Sequence, residues 1–375
     1  MQRYLDYNAT CPPLEAALEA QVEAAQQAYG NPSSLHWAGR NARRVLDDAR
    51  DALAAHVGSE SGSVVFTSGG TEANNLAISG YCATQKTGHI ITTAIEHPAV
   101  LQPVARLEEA GWQVTRLRPS RSGAISADDV LDALRDDTRL VAVMAANNET
   151  GVVQPIAKIG ALCRERDIAF MVDAVQVLGK AKVSLRDWQA DFISLSAHKI
   201  GGPRGVGALI VRRGMSLQEI APGGGQERKR RSGTENVPGI AGFTAALGGM
   251  NFTSLSRMRD DFETALTAQM RDVVIFGQGA ERTPNTSMFC IPGLDGETLL
   301  MQLDLAGFAV ASGSACSSGK REPSHVLLAM GASQEQARSS LRVSFGPSNT
   351  EQDATALVAE LGRIRQRLRS MAGAA

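Results

Sequence analysis

Short apolar runs alternate with amphipathic segments between residues 60 and 212. Apolar runs bounded by polar turns are typical of buried strands, and apolar residues spaced by three and four are typical of helices. The pattern predicts strands at residues 64–66, 89–93, 114–117, 140–145, 169–172, 192–195 and 208–211. It predicts helices at residues 72–84, 100–110, 127–135 and 156–166. This alternation indicates an α/β fold with a mostly parallel sheet and helices on both faces.

The pattern changes after residue 212. A glycine-rich stretch at residues 222–225 leads into the basic run Arg228-Lys229-Arg230-Arg231. Helices are predicted at residues 240–249 and 255–270, and an amphipathic helix near residues 350–371 closes the chain. We therefore expect a second, smaller domain of short strands and helices at about residues 271–375.

Composition narrows the class of protein. The 38 Lys and Arg residues nearly balance the 39 Asp and Glu residues, which argues against a nucleic acid or an anionic membrane as partner. No apolar stretch is long enough to span a bilayer, and the N-terminal residues lack the apolar core of a signal peptide. The five cysteines are scattered and form no CxxC pair, so we expect no metal site and a reduced, cytoplasmic protein.

Polar residues follow several predicted strands, at the sheet edge where α/β proteins bind ligands. Lys199 ends one apolar strand. Such a lysine either reaches back to water or is a desolvated amine that forms a Schiff base with a carbonyl. Asp173 ends another strand and is either a helix N-cap or the partner of a protonated ring nitrogen.

The turn at residues 67–71 joins a strand to a helix. Its backbone N–H groups form an anion site, unless Ser68 or Thr71 merely caps the helix. The glycine patterns of dinucleotide-binding and P-loop proteins are absent. An anion cradle, a carboxylate and a Schiff-base lysine are the groups that pyridoxal phosphate requires, and His97 ends a further strand, where it can stack on the ring.

Eight motifs, which include these residues, occur along the chain in the same order as in a known family. The chain resembles the cysteine desulfurases of the NifS/IscS type, in the class V aminotransferase group of pyridoxal-phosphate enzymes. The resemblance covers nearly the whole chain. The motifs are residues 30–34 (GNPSS), 66–72 (FTSGGTE), 96–97 (EH), 147–151 (NNETG), 172–173 (VD), 196–199 (SAHK), 231–236 (RSGTEN) and 312–319 (SGSACSSG).

The resemblance implies a fold of the aspartate-aminotransferase type, which is fold type I of the pyridoxal-phosphate enzymes. Residues 14–255 would form a large domain with a seven-stranded, mostly parallel sheet. Residues 1–13 and 256–375 would form a small α+β domain that carries the catalytic cysteine loop.

The resemblance also assigns roles to individual residues. Lys199 would bind the cofactor as a Schiff base, Asp173 would face the pyridine nitrogen and Gln176 the phenolic oxygen. His97 would stack on the ring, and Asn148, beside the cofactor, would fix the substrate carboxylate together with the fork of Arg342. The residues that would hold the phosphate are Gly70, Thr71, Ser196 and His198, with Thr234 from the other subunit of a homodimer.

Cys316 decides which reaction is expected. Small polar residues without apolar periodicity surround it, so we expect an exposed loop, which suits a nucleophile better than a core cysteine. In the implied reaction Lys199 takes the Cα proton of L-cysteine and the Cys316 thiolate takes its sulfur, leaving L-alanine and an enzyme persulfide. His97 or backbone N–H groups of the loop would assist the thiolate.

The persulfide would pass to an acceptor or an iron–sulfur scaffold protein. This delivery implies at most a transient contact between Cys316 and a cluster under assembly. Which acceptor or pathway receives the sulfur stays open.

Several alternatives remain at this level. Cys11, where relatives usually have threonine, is either a small-residue substitution or a residue close to the chemistry, whereas Cys82, Cys163 and Cys290 are predicted to be inert. The basic run is a solvated connector or a contact for an acidic partner, and four arginines of the last helix raise the same question. Selenocysteine lyase, another class V activity such as an aminotransferase, and a non-catalytic pyridoxal-binding or scaffold protein are the rival functions.

Overall fold

The structure is a computed structural model that describes residues 2–252, 254–313 and 322–373. The predicted nucleophile Cys316 lies outside the described residues. Among the helices described, none combines the length and the apolarity that a bilayer crossing requires.

Strands and helices alternate in the first two thirds of the chain and segregate afterwards. The strands are β1 (Arg3–Tyr4), β2 (Val64–Thr67), β3 (His89–Thr93), β4 (Gln113–Leu117), β5 (Thr138–Met144), β6 (Ala169–Asp173), β7 (Phe192–Ser196), β8 (Gly207–Val211), β9 (Val274–Phe276), β10 (Thr286–Cys290), β11 (Phe308–Ala309), β12 (Ala311–Ser312) and β13 (Ser340–Ser344). The helices are α1 (Glu15–Gln27), α2 (Trp37–His56), α3 (Gly70–Cys82), α4 (Pro98–Glu109), α5 (Ala127–Ala133), α6 (Ile156–Glu165), α7 (Gln226–Lys229), α8 (Val237–Ala245), α9 (Leu255–Gln269), α10 (Gly296–Leu305), α11 (His325–Ala329), α12 (Gln334–Arg338) and α13 (Glu351–Gly373).

A seven-stranded sheet forms the centre of the larger part of the molecule. Its strand order is β2-β8-β7-β6-β5-β3-β4, and all neighbours are parallel except β8, which runs antiparallel to β2 and β7. The α/β class and the seven-stranded, mostly parallel sheet are confirmed. Each of the seven predicted strands is present, with both ends within two residues of the prediction.

Both faces of this sheet are buried. Along β5, Val141 and Val143 pack into the cluster beneath α2, α6 and α8, whereas Leu140 and Ala142 pack into the cluster beneath α3 and α4. Successive side chains of a strand point to opposite faces. A strand covered on both sides is therefore apolar at every position, which is why the sequence shows continuous runs here.

The C-terminal part packs around its own apolar cluster. A four-stranded antiparallel sheet of order β12-β13-β10-β9 is covered by α9, α10 and α13, and the N-terminal strand β1 pairs with β11. Leu5, Tyr7 and Cys11 lie in the same cluster as Phe289 and Leu357. This shared cluster supports, as a proposal, the assignment of residues 1–13 to the small domain, whereas the boundary at 255/256 stays a prediction, since Met250, Phe252 and Leu255 belong to the same cluster.

The connector after β8 is more than a solvated basic run. Glu227, Arg228 and Lys229 have positive φ angles of 42°, 59° and 61°. Glu227 is buried and pairs with Arg50 through two hydrogen bonds of 2.7 and 2.9 Å, while Arg231 pairs with Glu72. Within the described chain, at least part of this charge run is therefore committed to internal contacts.

Candidate active site

A cavity of about 300 Å³ opens at the carboxyl ends of β5, β6 and β7. The residues of the sequence prediction that line it are Gly70, Thr71, His97, Asn148, Asp173, Gln176, Ser196, His198, Lys199 and Arg342. They come from both parts of the molecule, since Arg342 lies on β13 and most of the others follow strands of the large sheet. The parallel strands end at one edge, which brings these distant residues together.

Lys199 lies on a 3-10 turn (Ala197–Ile200) directly after β7. Its Nζ donates hydrogen bonds to the backbone oxygens of Asn8, at 2.6 Å, and Ala9, at 2.8 Å. The N-terminal segment thus holds the amine at the cavity wall. This geometry agrees with an amine presented to a ligand rather than with a strand-end lysine that reaches back to water.

Asp173 is a buried carboxylate with two roles. Its Oδ1 accepts a hydrogen bond of 3.0 Å from the N–H of Val175, and its Oδ2 accepts one of 2.7 Å from Nδ2 of Asn74. It therefore orders the turn after β6 and also faces the cavity. Asn74 was missed by the sequence analysis, although it lies one helical turn after Gly70 and so on the same face of α3.

The N-terminus of α3 points at the cavity. Its N-cap is Gly69, with a φ of +155° and no side-chain cap. The alternative that Ser68 or Thr71 merely caps the helix is therefore wrong. Backbone N–H groups at an uncapped helix start attract anions, and the hydroxyls of Thr71 and Ser196 line the same end of the cavity.

The two histidines of the site are held neutral by their surroundings. Nδ1 of His97 accepts a hydrogen bond from the N–H of Ala99, and burial lowers the pKa of His97. Burial also lowers the pKa of His198 to about 4, and its Nδ1 lies 3.1 Å from Oγ1 of Thr10. An anion here would be bound by N–H and O–H donors rather than by imidazolium charge.

Arg342 is fixed from two sides. One terminal nitrogen donates to the backbone oxygen of Asn148, at 3.0 Å, and the other to Oδ1 of Asp6, at 2.6 Å. Each terminal nitrogen carries two N–H groups, so each retains one donor. A guanidinium clamped in this way can still form a two-point contact with a carboxylate.

Asn8 connects several residues of the site, and the sequence analysis did not single it out. Its backbone oxygen accepts from Nζ of Lys199 and from Nε2 of Gln176, at 2.9 Å. Its side-chain oxygen accepts from Nζ of the buried Lys180 at 2.6 Å. Neither Asn8 nor Lys180 carried a recognisable signal, because nothing in a polar turn residue shows which partners the fold supplies.

Two predicted residues do not line the cavity as described. Thr234 is exposed on the loop before α8, outside the set of lining residues. Cys316 is not described, but the residues on either side of its segment are close together: a Cβ on Gly313 would lie 3.1 Å from Cβ of Ser324. Ser324 donates a hydrogen bond to the buried carboxylate of Glu149, the neighbour of Asn148.

The remaining cysteines are buried. The thiol of Cys11 donates to the backbone oxygen of Lys199 at 2.9 Å, and burial raises its pKa to about 11. Cys11 is thus a packed donor beside the site rather than a thiolate. Burial also raises the pKa values of Cys82, Cys163 and Cys290, as expected for inert core thiols.

Comparisons with known proteins agree with this geometry. The model of the aminotransferase class-V family matches residues 3–357. A cysteine desulfurase IscS of Dictyoglomus turgidum is 40% identical over 98% of this chain and 95% of its own, and a putative cysteine desulfurase IscS 1 of Bacillus subtilis is 42% identical over 97% and 99%.

Solved structures give the same result. A NifS-like protein superposes with a TM-score of 0.90 at 32% identity, covering 98% of this chain and 100% of its own. SspA in complex with cysteine superposes with a TM-score of 0.84 at 34% identity, covering 93% and 100%. The chain belongs to the class-V aminotransferase family, and within it to the cysteine desulfurases.

The cofactor of this family is pyridoxal phosphate, and the residues present fit it. The uncapped N-terminus of α3 suits its phosphate, the buried carboxylate of Asp173 suits a protonated ring nitrogen, and the amine of Lys199 suits its aldehyde. Gln176 and His97 also line this cavity.

Proposed function

We propose that this protein is a pyridoxal-phosphate-dependent cysteine desulfurase that removes sulfur from L-cysteine. One observation carries the proposal: the Lys199 amine, the Asp173 carboxylate and the uncapped start of α3 line a single cavity. When bound, the cofactor supplies an electron sink for the bonds around the substrate's Cα. Side chains of the protein position the substrate, move the protons and take the sulfur.

Positioning is the first of these tasks. Arg342, clamped by Asp6 and Asn148, binds the substrate carboxylate with its remaining donors. Lys199 lies between the N-terminal segment and the cavity, where its amine can hold the cofactor and move a proton at Cα. Asp173, oriented by its hydrogen bond from Asn74, would be the partner of the ring nitrogen.

Cys316 takes the sulfur. The C–S bond of L-cysteine breaks and an S–S bond forms, so that L-cysteine and the Cys316 thiol yield L-alanine and a Cys316 persulfide. The thiolate is the attacking form, so the Cys316 thiol loses its proton before the attack, and a proton is returned to the carbon from which the sulfur leaves. Gly313 and Ser324, which lie before and after the segment that holds Cys316, are close together, and Ser324 donates to Glu149, the neighbour of Asn148; this supports the assignment of Cys316 to this site.

The finer assignments belong to the same proposal. The protein works as a homodimer in which Thr234 reaches the phosphate of the partner's site, and its exposure in a single chain supports this. It passes the persulfide sulfur to an acceptor for iron–sulfur cluster assembly or another sulfur-transfer pathway. We place it in the cytoplasm, where thiols such as the buried Cys11, Cys82, Cys163 and Cys290 stay reduced.

L-Cysteine is favoured as the substrate over its selenium analogue. The relatives described above bear cysteine desulfurase names, and one structural neighbour was solved with cysteine. Selenocysteine lyase activity would appear as selenide release that greatly exceeds sulfide release under matched conditions.

The nucleophile is tested by Cys316→Ala. This variant should keep the yellow colour of the bound cofactor and form no persulfide or sulfide from L-cysteine. The control is Cys163→Ala, which removes a buried thiol of α6. It should keep the yellow colour and still form persulfide and sulfide from L-cysteine. Turnover of Cys316→Ala at the wild-type rate would contradict the assignment of Cys316, whereas a wild-type protein that binds no pyridoxal phosphate would contradict the whole proposal.

A further inference from the structure

Lys180 is a buried lysine to which the proposed chemistry gives no role. It lies in the turn after β6, with 3% of its surface exposed. Its Nζ donates to Oδ1 of Asn8 at 2.6 Å and to Oε1 of Gln176 at 3.0 Å. The same nitrogen lies 5.6 Å from the centre of the Phe252 ring.

These contacts determine which way the Gln176 amide faces. A lysine ammonium has only donors, so the amide atom that meets it must be the carbonyl oxygen. The backbone oxygen of Asn8 has only acceptor capacity, so the atom that meets it, at 2.9 Å, must be the amide nitrogen. Turning the amide over would set two donors against each other and two oxygens against each other.

The orientation matters because Gln176 lines the cavity. Its Nε2 carries two N–H groups, of which one donates to Asn8. The oxygen is directed toward Lys180, from which it accepts a hydrogen bond, and Nε2 keeps a second N–H. In this orientation the Gln176 amide can offer a donor to a ligand atom next to it.

We propose that Lys180 is a positioning residue that holds the Gln176 amide so that it donates to the phenolic oxygen of bound pyridoxal phosphate. The inference rests on the proposed function, since it takes the cofactor and the position of Gln176 from there. What it adds is a buried residue, outside the set that lines the cavity, that decides which atom of Gln176 is offered to a ligand.

The charges around Lys180 are consistent with this role. The titratable groups that face it are Cys11, Lys199 and Arg342, and burial together with the two cations lowers the pKa of Lys180 to about 7. The two N–H groups that Lys180 uses are present in both its charged and its neutral form. Its hold on Asn8 and Gln176 therefore persists across neutral pH.

Loss of Lys180 leaves Oε1 of Gln176 as a buried acceptor without a partner, which is costly unless the amide rotates. A rotated amide no longer donates to the phenolic oxygen. A hydrogen bond to a charged oxygen favours the form in which that oxygen bears the most charge. Without it, the pH at which the visible absorption band of the bound cofactor changes should rise by about one unit.

The experiment measures this pH midpoint, and the dissociation constant of pyridoxal phosphate, in four proteins carrying the cofactor. Lys180→Met removes the donors and keeps the length of the side chain, and its midpoint should rise. Lys180→Arg keeps a donor-only group and should stay near the wild-type midpoint. The matched control is Lys182→Met, since Lys182 is an exposed lysine of the same segment, paired with Asp187.

A double-mutant cycle separates positioning from a general effect on charge or folding. Gln176→Ala should raise the midpoint by itself. If Lys180 acts through Gln176, adding Lys180→Met to Gln176→Ala should change the midpoint by less than about 0.3 pH unit, which is about the scatter expected between substitutions. Full additivity of the two substitutions would overturn the inference, as would an unchanged midpoint in Lys180→Met. If Lys180→Met does not fold, the inference would be overturned by a Lys180→Arg midpoint that differs from the wild-type midpoint by a full pH unit.

Failure of the proposed function looks different. In that case the wild-type protein would bind no pyridoxal phosphate, and no midpoint would exist to compare. A wild-type protein with a normal absorption band, together with unchanged Lys180 variants, would leave the proposed function standing and remove only the role of Lys180.

Discussion

Glu96 is a buried acidic residue next to His97, which lines the cavity. Oε1 of Glu96 accepts from the hydroxyl of Thr93 and the N–H of Met144, whereas its Oε2 has no hydrogen-bond partner among the described residues. Burial raises the pKa of Glu96 to about 8, and the nearby charge of Asp173 adds to the effect. Burial therefore favours the protonated form of Glu96 at neutral pH, next to His97, the predicted catalytic histidine.

Glu96 should make stability depend on pH. Its folded pKa exceeds the unfolded value, so the folded state binds the extra proton between about pH 4 and pH 8 and loses stability as the pH rises through that window. Glu96→Gln keeps the acceptor oxygen and removes the titration. The stability of the wild type relative to this variant should fall as the pH rises from 5 to 8, as measured by urea unfolding at several pH values.

The control for this prediction is Glu109→Gln, which alters an exposed carboxylate at the end of α4. It should follow the wild type at every pH. A pH-independent difference between the wild type and Glu96→Gln would show that Glu96 does not titrate in this window.

At the level of elements, helices α1 and α2 were missed by the sequence analysis. Helix α1 buries only Ala17 and Ala24, because it packs closely against α8, so its buried face carries no large apolar residue. Its Leu18 and Val22 are 48% and 56% exposed. A hydrophobic pattern detects large buried side chains, and close helix packing through alanine leaves little of that signal.

The left-handed turn at residues 227–229, which makes up most of α7, was also not predicted from the sequence. Three consecutive L-residues in the left-handed region are disfavoured by about 1–2 kcal/mol each. The buried pair of Glu227 and Arg50 holds the turn against β2, where Glu227 also accepts from the N–H of Phe66. Contacts from residues far away in sequence thus select a backbone that local preference opposes.

The ion pair gives a prediction for the element. Arg50→Met leaves the carboxylate of Glu227 buried and unpaired, so the free energy of unfolding should fall by about 3–5 kcal/mol. The matched control is Arg43→Met on the same helix, which removes an exposed pair with Asp47 and should cost less than about 1 kcal/mol. Urea unfolding of both variants measures the difference, and equal losses would contradict a special role for the buried pair.

At the scale of the whole molecule, the N-terminal segment joins the two parts. Its Asp6 and Asn8 contact Arg342 of the small sheet, and Gln176 and Lys199 beside the large one. The cavity exists only when both parts are folded and in contact. In the proposed dimer, each site would also depend on the second chain, which supplies Thr234.

Hybrid dimers test that extension. A Thr234→Ala chain coexpressed with a Lys199→Ala chain forms a heterodimer in which the intact Lys199 faces the intact Thr234 of its partner. This one site should bind pyridoxal phosphate as the wild type does, whereas the Thr234→Ala homodimer should bind about tenfold more weakly, because it lacks a hydrogen bond to a charged group. Weak binding in the hybrid would show instead that Thr234 serves its own chain.

The sequence by itself determined the strands of the large sheet, the family and ten of the residues that line the cavity, but not Asn8 or Asn74. Strand ends and glycine turns are local features, and the sheet edge collects them in any fold of this class. The orientation of the Gln176 amide, the neutral state of His198 and Glu96, and the left-handed turn at Glu227 were decided only by the tertiary structure. Each depends on burial and on partners distant in sequence, which a local pattern does not record.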